Sequence, residues 1–299
     1  MINGIINIFK EKNFTSHDVV AKMRGILKQK KIGHTGTLDP DATGVLLVCL
    51  GNATKLCDII TDRTKEYEAE MLFGVTTDTQ DISGKVIKTS DVIPSDEEIK
   101  KAIEKFSKSY MQLPPMYSAL KVNGKKLVDL AREGVEVERK KRLVNIYSLD
   151  ILELKYPKAK LRVKCGKGTY IRTLCHDIGE SLGCGASLTS LIRTEVSGFR
   201  AENAITLNTL EKLRDEDKIK DILISTDRVF ESLKKLYVND ESRKYAYNGN
   251  KLNNRNFTKL DTYFSNNEKV CIYDLDKKFL GVYEFLENEN AFKPYKLFL

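Results

Sequence analysis

Between residues 65 and 73 the chain alternates strictly, with Tyr67, Ala69, Met71 and Phe73 on one side and Glu66, Glu68 and Glu70 on the other. That period belongs to a strand with one face in the core and one in water. A helical rhythm precedes it. Val19, Val20, Met23, Ile26 and Leu27 recur at helical spacing, with Ser16 in position to act as N-cap. Ser95 and Glu98 form a capping box for a second helix through Ile99, Ala102, Ile103 and Phe106. A third carries Leu174, Ile178 and Leu182 inward and stops at Gly183. Strand-like runs recur at 143–154 and 161–165; Thr206, the charged stretch 211–221 and residues 228–235 suggest further helices. From 236 onward the pattern becomes short strands, such as 270–273 and 279–285, joined by Asn/Asp-rich turns. The expected organisation is a mixed α/β (α+β) domain over 1–235, then a small β-rich domain over 236–299.

The stretch Gly33-His-Thr-Gly-Thr-Leu-Asp-Pro-Asp-Ala-Thr-Gly44 breaks every periodicity and leads straight into the apolar run 45–50. Pro40 keeps Asp39 out of the helical region, and the glycines let backbone or a flat ligand approach. Asp39 is therefore either a rigidly held carboxylate facing a pocket or the maker of a simple turn. Arg172, in Lys167-Gly-Thr-Tyr-Ile-Arg-Thr173, and Tyr67, at the start of the alternating strand, also stand beside glycines or at an element edge. An arginine near Asp39 would lower its pKa and orient it.

Composition narrows the function. Hydrophobic residues at 41% and charged residues at 31% fit a globular protein. No apolar run is long enough to span a bilayer, and the first residues lack a signal-peptide pattern, so a cytoplasmic location is expected. The six cysteines form no Cys-x-x-Cys pair and are expected to be small buried hydrophobes. There is no phosphate-binding loop, dinucleotide fingerprint, His-Glu-x-x-His or Gly-x-Ser-x-Gly. A reaction run by side chains, with no cofactor and no metal, is the expectation. The net charge of +8 suggests a polyanion, and its distribution strengthens the point. Residues 121–142 hold eight Lys or Arg against four Asp or Glu, whereas 236–299 hold ten against nine.

Four ordered motifs then bring in a resemblance: residues 33–44, Lys65-Glu-Tyr67, Pro114-Pro-Met-Tyr-Ser-Ala-Leu-Lys121-Val-Asn-Gly124 and 167–173. Together they resemble the TruB family of tRNA pseudouridine synthases over residues 1–235. The resemblance implies a pseudouridine synthase fold, with a large mixed, mainly antiparallel sheet flanked by helices, and a PUA-like RNA-binding domain at 236–299. It implies isomerisation of the uridine at position 55 in the T loop of tRNA. By the same resemblance Asp39 is the nucleophile, Tyr67 stacks on or deprotonates the base, and Arg172 pairs with Asp39. His34, Tyr170 and Leu191 contact flipped nucleotides or shape the pocket. Lys121, Lys140, Lys141 and Arg142 belong to a basic flap, and Arg193 is the phosphate contact left where Ile192 replaces a second arginine. The implied partner is the tRNA T arm, with no membrane, for a monomer.

The stretch Lys10-Glu-Lys-Asn-Phe-Thr-Ser16 lacks the Lys-Pro step and the glycine usual in that family, so a different loop geometry is expected there. Two other classes remain compatible with the residues. One is a non-catalytic RNA-binding or tRNA-folding protein with a structural Asp39. The other is a cofactor-free hydrolase, which needs a second carboxylate in the pocket.

Overall fold

The computed structural model describes residues 1–260 and 262–299. β1 (Gly4–Lys10) leads into α1 (Ser16–Leu27), followed by β2 (Ile32–His34) and β3 (Thr43–Leu50). Thr15, not Ser16, caps α1: its hydroxyl accepts from the Asp18 N–H and the Asp18 carboxylate reaches back to it. A carboxylate three residues on completes a capping box for Thr15, whereas Ser16 has a different task at the site. Asn13 takes φ +68, the left-handed conformation that the missing glycine would favour and that asparagine tolerates.

After the short α2 (Cys57–Thr61) comes β4 (Lys65–Phe73), whose burial alternates along its whole length as the sequence predicts. Its outer carboxylates meet a cationic ladder, Glu70 with Lys158 and Glu68 with Lys160 and Arg162. β5 (Val75–Thr77) and β6 (Val86–Thr89) form an arm, and α3 (Asp96–Lys105) carries the expected Ser95–Glu98 capping box. β7 (Tyr110–Gln112) precedes the basic segment, which holds the hairpin β8 (Lys121–Val122) and β9 (Lys125–Lys126), α4 (Leu127–Arg132) and β10 (Arg142–Val144). β10 returns to pair with β7, so the segment is closed at its base.

β11 (Ile146–Lys155), β12 (Lys158–Cys165), α5 (Ile171–Ser181) and β13 (Ala186–Val196) complete the main layer, with β14 (Phe199–Arg200) folded back on β13. The eight-stranded sheet runs β1-β3-β13-β4-β12-β11, with β2 beside β3. Only the β3–β13 pair of this sheet is parallel, over two residues; its other pairs are antiparallel. Gly44 makes that short contact possible. A Cβ there would lie 2.2 Å from the Arg193 carbonyl oxygen, and φ is +106. α3 and α5 cover one stretch of the sheet, and α1 with α6 (Leu207–Asp215) another. Thr206 caps α6 as expected.

Residues 228–235 do not form the expected helix. A 3-10 turn at Thr226–Phe230 passes into β15 (Lys234–Tyr237), which pairs in parallel with β17 (Lys269–Tyr273). Pairing with a strand far along the chain overrides the local helical pattern. After α7 (Arg243–Tyr247), β15 joins β16 (Leu252–Asn253), β17 (Lys269–Tyr273), β18 (Phe279–Leu286) and β19 (Ala291–Leu297) in a second sheet of five strands. This sheet is not a free appendage. Val282, Tyr273 and Phe298 share one apolar cluster with Ile5, Val45, Leu47 and Leu56 of the large sheet side. Lys55 donates to the Leu297 carbonyl and Lys296 pairs with Asp58.

Truncating a buried aromatic in that cluster removes packing on both sides. Phe298→Ala should cost about 3 kcal/mol, visible as a lower Tm with one cooperative transition. An unchanged Tm, or two independent transitions, would show that the halves do not share stability.

Candidate active site

The loop bearing Asp39 leaves β2 and enters β3 at the two residues that pair with β13, and it has little regular bonding of its own. Its neighbours hold it. Ser16 Oγ accepts from the Leu38 N–H at 2.9 Å and donates to the Leu38 carbonyl at 3.3 Å. Lys10 Nζ, fully buried, donates to the carbonyls of Glu11, Phe14 and Pro40. Burial lowers its pKa to about 8, the Asp39 and Asp41 charges acting in the opposite sense. Arg193 donates Nε to the Val45 carbonyl at 2.7 Å and an Nη to that of Gly36 at 3.1 Å. Leu38 and Ala42 pack into the same apolar cluster as Tyr67.

Arg172 arrives from the first turn of α5, 6% exposed. Its Nε lies 3.2 Å from Asp39 Oδ2, and Nη1 lies 3.4 Å from Asp81 Oδ2 and 3.2 Å from the Thr79 carbonyl. Nη2 donates to the Tyr117 carbonyl at 2.9 Å. The guanidinium therefore has a partner for each nitrogen, an arrangement that lysine could not reproduce. Asp39 keeps 45% of its side-chain surface, turned to a cavity of about 690 Å³. Asp81, Tyr117, Arg132, Arg172 and Leu191 share its walls.

Burial on its inner side pushes the Asp39 carboxyl above the usual aspartate value. Arg172 and Lys10 oppose that shift, while Asp81 and Asp41 add to it. Arg172 lowers the pKa of Asp39 as expected, but desolvation and the neighbouring carboxylates outweigh it, so the net shift is upward. Asp81 is the second carboxylate that a hydrolase would need, but both its oxygens are engaged. Oδ1 accepts from Thr79 Oγ1, Ser83 N and Ser83 Oγ, and Oδ2 faces Arg172.

Tyr67 lies beneath the loop, 8% exposed; burial raises its pKa, and it is a neutral phenol at neutral pH. Tyr170 stands at the N-cap of α5, its pKa also raised by burial. His34 is half-buried outside the cavity lining, its Nδ1 accepting from the Gly36 N–H and its ring edge-on to His17. Lys121, Lys140, Lys141 and Arg142 are exposed along the basic segment and do not reach the cavity wall. Arg132 of the same segment does. Arg193, expected to contact phosphate, is 1% exposed and serves the loop backbone instead. Five of the six cysteines are buried and Cys57 is half-buried, all as free thiols. Among the described residues no cluster of His, Cys, Asp or Glu has metal-binding geometry, and no helix is long and apolar enough to cross a membrane.

Asp81 and Ser16 carried no sequence signal as site residues; Tyr117 lies inside the motif 114–124 and Arg132 inside the basic segment 121–142, though neither stands out there. Lys10 left one trace, as the cation that ends an otherwise uncharged strand pattern.

Comparison with known proteins gives a consistent result. Residues 24–171 match the model of the TruB family pseudouridylate synthase N-terminal domain, and residues 172–231 that of the tRNA pseudouridylate synthase B C-terminal domain. The chain is 50% identical to the tRNA pseudouridine synthase B of Lachnoclostridium phytofermentans, over 100% of both chains. It is 42% identical to that of Staphylococcus haemolyticus, again over 100% of both. Among solved structures, a Cbf5-Nop10-Gar1 complex contains a chain that superposes with a TM-score of 0.75 at 27% identity, covering 99% of this chain and 85% of that one. An H/ACA RNP bound to a substrate RNA containing 2'-deoxyuridine gives 0.74 at 26%, with the same coverage. With its sheet, its Asp39 loop and its full-length relatives in agreement, the chain belongs to the TruB family of pseudouridine synthases.

Proposed function

We propose that this enzyme isomerises uridine 55 in the T loop of tRNA to pseudouridine, with Asp39 as nucleophile. The observation that carries the reading is the Asp39–Arg172 pair at 3.2 Å on the wall of a cavity sized for a small ligand. The relatives named above act on tRNA by their names, which supports the substrate. A non-catalytic RNA binder would gain nothing from a carboxylate held against its own desolvation cost.

The target base is stacked within a folded loop and must be flipped out before it can enter the cavity. The N1–C1′ bond then breaks, the uracil turns, and a C5–C1′ bond forms while C5 loses a proton and N1 gains one. Composition is unchanged, so no oxidant or reductant enters. Attack of Asp39 on C1′, attack on C6, and assistance to loss of the 2′ proton are all compatible with the geometry. Arg172 orients the carboxylate with Nε while its other nitrogens are tied to the protein. Tyr67, a neutral phenol 8% exposed and outside the cavity lining, would stack on the base only after the uridine has entered and moved the loop above it. Leu191 supplies an apolar wall, and His34 and Tyr170 are suited to contacts with displaced nucleotides.

We read residues 236–299 as a PUA-like RNA-binding domain, and the protein as a cytoplasmic monomer acting on the T arm. Lys121, Lys140, Lys141 and Arg142 would hold the RNA backbone.

Incubating the purified protein with an unmodified tRNA transcript should yield pseudouridine at position 55 of the T loop, including in excess EDTA once the tRNA is prefolded. Modification elsewhere, or none, would refute the assignment. A second expectation concerns pH. Asp39 acts ionised, and its folded pKa is raised, so kcat/KM falls as pH drops through a value above 3.8. Removing the neighbouring charge in Asp81→Asn should move that acid limb to lower pH; a limb that stays or moves up contradicts the electrostatic account. Third, replacing Lys140, Lys141 and Arg142 together with Ala should weaken tRNA binding. The slope of log affinity against log salt should also flatten, by about 0.7 to 0.9 for each phosphate that is no longer neutralised. Equal affinity and slope would make the segment an ordinary solvated surface.

A further inference from the structure

α5 carries Arg172 in its first turn and Tyr170 at its N-cap, yet no side chain from its own N-terminus caps it. A side chain from β7 instead grips the N-cap residue itself. Gln112 Oε1 accepts from the Tyr170 N–H at 2.8 Å, and Gln112 Nε2 donates to the Tyr170 carbonyl at 3.0 Å. The Tyr170 carbonyl also accepts the first helical bond, from the Leu174 N–H. Gln112 Nε2 further donates to the Tyr110 hydroxyl at 2.6 Å, which in turn donates to Asp177 further along the helix. The Gln112 side chain is buried, at 1% residue exposure. A buried amide with both ends bonded to one residue's backbone fixes that residue in position and direction, and leaving those groups unpaired is costly.

The chain after Gln112 returns to the same helix turn. Past the stiff Pro114-Pro115 pair it reaches Tyr117, whose carbonyl accepts from Arg172 Nη2. Residues 112–117 thus bracket the start of α5, bonded to the Tyr170 backbone at one end and to the Arg172 guanidinium at the other. β7 is in addition the partner strand of β10, where Arg142 stands opposite Gln112. The end of the basic segment and the start of the helix that carries Arg172 therefore meet at one residue.

We propose that Gln112 is a positioning residue: it sets Arg172 against Asp39 and ties that placement to the base of the basic segment. This rests on the pseudouridine synthase reading above. Gln112→Met keeps length and apolar volume but removes both bonds to Tyr170. It should lower the single-turnover rate on tRNA by roughly 100-fold, as a small misplacement of a catalytic pair does, while Kd for tRNA stays within about threefold. Because Arg172 would no longer oppose the desolvation of Asp39 as well, the acid limb of the rate should move to higher pH. Tyr110→Phe leaves both Gln112–Tyr170 bonds in place and should retain the rate within about threefold. If Gln112→Met does not fold, Gln112→Glu carries the test: it keeps the acceptor for the Tyr170 N–H but, ionised, repels the Tyr170 carbonyl. A folded variant with a near wild-type rate, or a loss without displacement of the acid limb, or an equal loss in Tyr110→Phe, would overturn the proposal. Wild-type protein assayed alongside separates this from failure of the functional reading, since that failure would leave wild type itself inactive.

Discussion

Three buried cations hold the loop that carries Asp39, and the site depends on them. Lys10, Arg193 and Arg172 are at most 6% exposed, and they spend most of their hydrogen bonds on backbone carbonyls. An irregular loop has few bonds of its own with which to resist motion. Cations buried among carbonyls supply that resistance, because withdrawing a carbonyl would leave a desolvated charge unpaired, at a cost of several kcal/mol. Only Arg172 also faces carboxylates at ion-pair distance, and the more exposed of the two is Asp39. Structure and chemistry thus meet in one guanidinium. Its Nη atoms are committed to Asp81, Thr79 and Tyr117, which leaves Nε to orient Asp39.

The same arrangement explains why Asp39 is not held at a low pKa. It lines a pocket and is desolvated by burial, near Asp81 and Asp41 as well as near Arg172 and Lys10. Desolvation and the neighbouring carboxylates thus outweigh the two cations and leave its pKa above the usual aspartate value.

The sequence made the alternating strand 65–73, the Ser95–Glu98 box and the helix after Tyr170 legible because local periodicity and capping chemistry decide them. Thr15 was legible too, since Asp18 stands three residues on; the neighbouring hydroxyl of Ser16 drew the cap one residue too far. Asp39, Tyr67 and Arg172 were found by motif, not by spacing. What stayed hidden depends on distant pairing. Asp81 belongs to a polar loop with nothing in its type or surroundings to mark it until α5 brings Arg172 alongside. Gln112 is a single amide whose partner lies 58 residues away. Arg193 was a phosphate contact by the family resemblance alone, and only β13's place beside β3 shows it turned inward. Lys234 and Lys235 joined a strand for the same long-range reason.

The central claim is that the ionised Asp39 carboxylate carries the reaction. Single-turnover pseudouridine formation with excess enzyme tests it most directly when Asp39→Asn is compared with wild type on the same tRNA. The substitution keeps size and hydrogen bonding but removes the charge. The account predicts a folded protein that still binds tRNA, since phosphate contacts provide most of the affinity, and forms no detectable pseudouridine. A rate within about tenfold of wild type, about 1.4 kcal/mol of barrier, would contradict it.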